Sequence, residues 1–293
     1  MSATRKNLQS VLESSELLIL DGAMGTELDK LGCTGRCESN LHDPDAVMHV
    51  HRDYLQAGSR AIITNTLTMN RVFVETHRID IDVRKVNAAG AALAKRAARG
   101  VGYVLGNLGS TGQMLEPYGT FSEQVITDSF KEQAGFLAEG GVDGFIIETV
   151  FDLAEALCAL RACRAVAALP IIACIAYQTD RDKGRTVMGN SAVECARALE
   201  REGAHAIGAN CGNIGPLQMA EIVGVLASET RLPVVAEPYA GMPRLVDGKT
   251  VFDMDAPEFA SGLAACMKAG ARILGGCCGT TPEHIRAFTA RLR

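Results

Sequence analysis

GFIIETVFDLAEALCALRACRAVAALPIIACIAY, residues 144–177, contains two apolar runs separated by a helical stretch. GFIIET (144–149) and IIACIAY (171–177) are nearly continuously apolar, as expected of strands buried on both faces of a parallel sheet. Residues 153–168 between them carry apolar positions at helical spacing. Strand, crossover helix and parallel strand make one βαβ unit. The alternation continues in both directions. Upstream lie LLILDGA (17–23), AIITNT (61–66) and YVLGNLG (103–109). Downstream lie AIGANC (206–211), VVAEPYA (234–240) and ILGGCC (273–278). Helical patterns cover 84–99, 122–139, 192–202, 216–230, 257–269 and 282–292. Small-residue turns such as Ala57-Gly58, Gly140-Gly141, Glu202-Gly203 and Ala269-Gly270 announce the strands that follow. Eight strands alternating with helices predict an α/β fold, a single (β/α)8 TIM barrel. It is expected to span 1–293, with 1–12 as an N-terminal extension. A doubly wound open sheet fits less well, because DGAMG and GGCCG lack the G-x-G-x-x-G spacing of a dinucleotide fingerprint.

Composition narrows the function classes. The chain has 293 residues, 47% hydrophobic and 22% charged, which excludes a disordered polypeptide. A net charge of −5 supplies neither a basic face for nucleic acid nor a polybasic membrane anchor. Trp is absent and aromatics are 5%, against an aromatic stacking platform. No apolar run reaches the roughly 18 residues of a membrane span. The first twenty residues lead into Asp21 rather than a small-residue cleavage site, so a cytoplasmic location is expected. In that compartment the ten cysteines are expected to be mostly reduced thiols.

Barrel enzymes build their active sites at the C-terminal ends of the strands. Here those ends carry Asp21, Asn65, Glu148, Tyr177, Cys211, Glu237, Tyr239, Cys277 and Cys278. Cys211 closes the sixth run, and Cys277 and Cys278 close the eighth. In a barrel these ends converge on one mouth. Adjacent residues of a regular strand face opposite ways, but Gly275, Gly276 and Gly279 let the chain turn so that both thiols face inward. Three thiolates with one open position suit a catalytic Zn²⁺. Such a zinc is a poor Lewis acid for water, but it binds a substrate thiol and favours its ionised, nucleophilic form. The chemistry suggested is thiol alkylation. Read alone, Cys211 is equally a small buried hydrophobe, and Cys277-Cys278 equally packing or a vicinal disulfide. Cys33, Cys37, Cys158, Cys163, Cys174, Cys195 and Cys266 read as structural. No histidine falls at a strand end, and His284 reads as a residue on the last helix face.

LDGAMGTEL (20–28), ITNT (63–66), IETVFD (147–152), GANCGNIGP (208–216) and GGCCGTTPEHI (275–285) together resemble the homocysteine S-methyltransferase family. That family includes the homocysteine-binding module of cobalamin-dependent methionine synthase and betaine–homocysteine methyltransferase. The resemblance runs from about residue 10 to 292. It implies a (β/α)8 barrel, Zn²⁺ held by Cys211, Cys277 and Cys278, and homocysteine as methyl acceptor. It also implies that Asp21, Gly22 and Glu148 meet the amino and carboxyl groups of homocysteine; Asn65 of ITNT is a further candidate for contact with the substrate. Carboxylates at the mouth are what an α-ammonium group needs. Two positions depart from the family pattern. Tyr239 stands where Asn is usual, and Leu67 where an aromatic commonly follows ITNT. Tyr239 is a candidate exchangeable fourth zinc ligand or a wall of the pocket. No D-x-H-x-x-G corrinoid-binding pattern occurs in these residues. The expected donor is therefore a separate methyl-corrinoid protein or a small methylsulfonium compound or betaine. The alternatives are a corrinoid-linked methyltransferase for another thiol or a methylated amine, and a non-catalytic zinc-binding barrel.

Overall fold

The computed structural model describes residues 5–178, 183–212, 214–246 and 249–293. Among the described residues ten strands follow in chain order: β1 (Leu18–Ile19), β2 (Ala61–Ile63), β3 (Tyr103–Gly109), β4 (Gly144–Val150), β5 (Ile171–Ile175), β6 (Ala206–Asn210), β7 (Val234–Glu237), β8 (Arg244–Val246), β9 (Lys249–Val251) and β10 (Ala271–Leu274). All but β8 and β9 form one sheet in the order β1-β10-β7-β6-β5-β4-β3-β2, every neighbouring pair parallel. The sheet closes between β1 and β2. Arg60 N–H donates to Ile19 O at 2.7 Å, and Ile63 N–H donates to Asp21 Oδ2 at 3.0 Å. The fold is the expected (β/α)8 barrel.

Each expected apolar run overlaps a strand of the barrel, and six of the eight runs outlast their strand at the C-terminal end; YVLGNLG ends with β3, and GFIIET stops one residue short of the end of β4. LLILDGA contributes only Leu18–Ile19, and AIGANC stops at Asn210. There the chain leaves the ladder to line the mouth. The crossover helices are α4 (Pro44–Ala57), α6 (Val83–Ala98), α7 (Glu123–Glu139), α8 (Leu153–Val166), α9 (Ala192–Glu202), α10 (Pro216–Glu229), α11 (Ala256–Ala269) and α12 (Pro282–Ala290). Shorter helices are α1 (Leu8–Glu13), α2 (Met24–Lys30), α3 (Ser39–His42) and α5 (Arg71–Thr76). Helix α4 and the antiparallel β8–β9 hairpin had no counterpart in the periodicity reading. Asp247-Gly248, within RLVDGKTV, is the dipeptide that favours a two-residue hairpin turn; its own placement lies outside the described residues.

The inward positions run at period two along each strand. Leu18 and Leu20, Tyr103 and Leu105, Ile146, Ile172 and Cys174, Ala206, Val235 and Ile273 form one apolar core inside the barrel. Leu8, Val11 and Leu12 of α1 belong to the same cluster, so α1 floors the barrel at its N-terminal end. A Cβ on Gly144 would lie 2.7 Å from Leu8 Cδ2, so the floor seats directly against β4. Leu8, Val11 and Leu12 of the expected extension are thus built into the core. A second, larger core lies between the strands and the helices.

Candidate metal and substrate site

Further up β3, β4, β6 and β7 the inward parity turns polar. Asn107 follows Leu105, Glu148 follows Ile146, Asn210 lies four beyond Ala206, and Glu237 follows Val235. These residues ring the mouth above the apolar core.

The thiols gather at one side of it. The Sγ atoms of Cys211, Cys277 and Cys278 lie within 4.8 Å of one another. A tetrahedral zinc with bonds of ~2.3 Å holds its sulfurs roughly 3.8 Å apart, so the three are spaced to close on one ion. Cys211 reaches this position through a left-handed backbone, φ 59°, immediately after β6. Cys277 and Cys278 lie beyond the end of β10. Cys277 N–H donates to Pro238 O at 2.9 Å, and Ala240 N–H to Cys278 O at 3.1 Å, so both follow the extension of β7 rather than a regular pleat. Gly279 then turns the chain at φ 82°, where a Cβ would also meet Phe252 at 2.2 Å. The thiols share their protons unequally. Hydrogen bonds from Cys211 and Cys277 hold Cys278 far below its ordinary value, to about 3. For Cys211 a bond from Cys277 works downward, but the bond to Cys278 and burial outweigh it and push the thiol up to about 12. The coupled thiols thus favour ionisation of one member of the cluster over the others. The other seven cysteines are buried or half-buried structural thiols; Cys266, for instance, bonds Pro216 O at 3.1 Å.

Tyr239 joins the cluster. Its hydroxyl oxygen is 3.2 Å from Cys211 Sγ, and its ring packs edge-on against Phe252 at 5.9 Å. Burial, then the neighbouring Cys211 thiol, drives its pKa up.

Facing the thiols is an acidic pocket. Asp21 is 2% exposed and Glu237 1%, and each has one carboxylate oxygen, Oδ1 and Oε2, without a partner. Asp21 Oδ2 accepts from Ile63 N–H, so this residue also fastens the barrel seam. Glu148, open slightly to the mouth, accepts from Asn107 Nδ2 at 2.6 Å. Burial pushes Glu148 up to about 7, opposed by the Asn107 bond. Burial raises Asp21 and Glu237 further, and Glu148 adds to both by repulsion. Asn107 Oδ1 is also buried without a partner. Four acceptors converge with too few donors among the described residues, the arrangement a cationic group would satisfy.

Gly22 packs tightly. A Cβ there would lie 2.5 Å from Thr280 Oγ1 and 2.9 Å from the Tyr54 hydroxyl oxygen. Thr280 in turn accepts from Ala23 N–H at 2.9 Å, tying DGAMG to GGCCGTT. Asn65 is not brought to the carboxylates. Its amide donates to Arg36 O at 2.8 Å and Asn40 Oδ1 at 3.2 Å, which fixes the loop after α2. Tyr177 belongs to the outer core with Cys195. Asn213 of GANCGNIGP lies outside the described residues. His284 accepts from Thr281 N–H at Nδ1, 3.1 Å, and bonds Met254 O through Nε2, 3.0 Å, so it is a structural tie at the start of α12. Asn107 and Asn210 were missed as site residues, and Glu237 was placed at its strand end without a role; strand parity is the signal that identifies them.

The sequence is 32% identical over 299 aligned positions to methionine synthase of Mycobacterium tuberculosis and 30% identical to that of Mycobacterium leprae. The alignments cover 94% of this chain but 25% and 24% of those proteins, so the chain spans about a quarter of their length. The fold is similar to the metallated form of the homocysteine methyltransferase MmuM from Escherichia coli, with a TM-score of 0.81, 22% identity and coverage of 97% and 99% of the two chains. The homocysteine S-methyltransferase family matches residues 18–292. With nearly the whole barrel matched, and the thiol triad at its mouth, this chain belongs to the homocysteine S-methyltransferase family and is a methyltransferase.

Proposed function

We propose that this chain transfers a methyl group to the thiol of homocysteine to give methionine, with Zn²⁺ held by Cys211, Cys277 and Cys278. The observation that carries this reading is the pairing of two subsites in one mouth: a soft, three-sulfur site and an acidic pocket of underpaired carboxylates. A γ-thiol on a short chain with an α-ammonium group satisfies both ends at once. A zinc ion there would supply the positive charge that keeps the acceptor's thiol ionised at neutral pH.

The chain's own residues do the rest. Glu148, Glu237 and Asp21 receive the ammonium group, and Asn107 orients Glu148 through its 2.6 Å bond. The start of DGAMG, Asp21 and Gly22, borders the acceptor's backbone end. The acceptor's thiolate attacks the donor methyl carbon in line, and the donor's leaving group departs with the bonding pair. The thiol proton has already left to solvent, so no general base acts at that step. The main contribution of the barrel is orientation of the acceptor. Membership of a methyltransferase family sets aside the non-catalytic zinc barrel.

The donor is proposed to be a methyl-corrinoid carried by a separate protein, supported by the likeness to methionine synthases; a methylsulfonium compound or betaine is the small-molecule option. A corrinoid-linked transfer to another thiol is the second reading, favoured by Tyr239, whose hydroxyl occupies the thiol cluster. The test is metal analysis and calorimetric titration with homocysteine, followed by methyl transfer assays that pair homocysteine with each donor class. One zinc per chain and homocysteine-dependent methionine formation are expected. Zinc without homocysteine binding would overturn the acceptor assignment. Among the described residues no helix is long and apolar enough to cross a membrane.

A further inference from the structure

The bond between Asn210 and Thr149 joins the two halves of this mouth. Strand β4 pairs with β5 at Ile147↔Ala173 and again at Val150↔Ile175. Three steps on one strand match two on the other, so Glu148 and Thr149 form a β-bulge. Bulges re-aim side chains. Thr149 sits in it at φ 57°, a left-handed conformation that a β-branched residue strongly disfavours. It is held there by a two-point bond. Thr149 N–H donates to Asn210 Oδ1 at 2.9 Å, and Asn210 Nδ2 donates to Thr149 Oγ1 at 2.9 Å. Asn210 is fully buried, and it sits on β6, which does not pair with β4; its side chain spans the mouth past β5. The residue before Thr149 is Glu148. The residue after Asn210 is Cys211.

We propose that Asn210 is a positioning residue that sets the distance between the ammonium-binding carboxylate and the thiol cluster, and thereby selects the acceptor for its amino group. This deepens the proposed function and rests on it. Without the clamp, Thr149 relaxes out of the left-handed region, the bulge closes, and Glu148 is re-aimed. The cluster of Cys211, Cys277 and Cys278 stays in place. An acceptor's thiol end is then still held while its ammonium contact is lost.

The experiment compares homocysteine with 4-mercaptobutanoate, which has the same thiol, chain and carboxylate but no amino group. Affinities are read by calorimetry on zinc-loaded protein, with zinc content measured in parallel. The parent is expected to prefer homocysteine at least tenfold. Asn210→Leu, close in size and without polar atoms, is expected to keep its zinc and to lose most of that preference, through homocysteine alone. Glycine enters the left-handed region without penalty, so Thr149→Gly in the Asn210→Leu background is expected to restore part of it, about threefold or more. A general packing role for Asn210 predicts something else: equal weakening of both acceptors and no recovery in the double variant. Either result overturns the proposal. Should Asn210→Leu fail to fold, Thr149→Val, which removes only the Oγ1 bond, carries the same test with a preference reduced about threefold; an unchanged preference there overturns it. A parent that binds both acceptors alike refutes the ammonium pocket itself, which separates failure of the functional reading from failure of the clamp.

Discussion

Glu148→Gln is expected to make the protein more stable and a worse receptor for its substrate. The parent carboxyl is raised from its ordinary 4.5 to about 7, chiefly by burial. A group raised in the folded state favours the neutral form, so its ionisation opposes folding. The penalty is absent below pH 4.5, grows between 4.5 and about 7, and is complete above that. At 1.36 kcal/mol per tenfold this difference is worth roughly 3 kcal/mol, and the slight opening of Glu148 to the mouth reduces it to about 1–3 kcal/mol. Glutamine copies the neutral acid and still accepts from Asn107 Nδ2. The variant is therefore expected to melt roughly 2–12 °C above the parent at pH 8, at about 2–4 °C per kcal/mol, and level with it at pH 4.5. Melts of metal-free, reduced protein at the two pH values measure this. At pH 8 the same variant is expected to bind homocysteine roughly tenfold to a hundredfold more weakly, from the loss of a charged partner worth about 1.5–3 kcal/mol. A gain in stability equal at both pH values, or a loss at pH 8, would refute the assignment of a strained, buried carboxylate.

Zinc analysis tests the thiol triad: the Cys277→Ala, Cys278→Ala double variant is expected to lose the metal and the activity, and full retention removes those ligands. Tyr239→Phe is expected to keep zinc and to change its X-ray absorption spectrum in the acceptor-free enzyme from S₃O toward S₃ with water; identical spectra eliminate the phenol as a ligand and leave it as a wall. Leu8→Ala empties part of the barrel floor, and a loss of about 2–5 kcal/mol in denaturant unfolding with zinc content unchanged is expected; a neutral outcome would mean that α1 is not part of the cooperative core.

The fold was legible because a parallel barrel buries its strands on both faces, so they read as unbroken apolar runs. The clustering of the three thiols was legible for a different reason: Cys211 and Cys277-Cys278 fall at the ends of two strands that converge on one mouth. Asn107 and Asn210 were harder. Each sits inside or at the end of an apolar run, where a polar residue looks like an interruption, and only the strand's inward parity distinguishes a mouth residue from one facing the helices. Asn65 shows the converse. A polar residue beyond the end of β2 suggested substrate contact, but its amide is spent on Arg36 and Asn40. Helix α4 was not legible because its moderately polar sequence, PDAVMHVHRDYLQA, buries one face only, and its His51 is fully enclosed, an unusual place for that residue.

The costs in this barrel are concentrated at one end. At the floor, α1 and the inward leucines and isoleucines pack as one apolar cluster. At the mouth, three carboxylates share a space with few donors, Thr149 and Cys211 hold left-handed backbones, and the strand ladders break at the bulge in β4. Apart from the bond of Asp21 at the barrel seam, these features do not stabilise the fold. Left-handed non-glycine residues and underpaired buried acids each cost on the order of 1–3 kcal/mol, so they persist only where the rest of the structure holds them. The proposed acceptor, bearing an ammonium group and a thiol, would remove part of that cost on binding, since it would supply a cation to the carboxylates and a ligand to the sulfur site. The strain is therefore better read as preorganisation than as a defect. It follows that substitutions which relax the mouth should raise stability and lower acceptor affinity together, whereas substitutions at the floor should change stability alone.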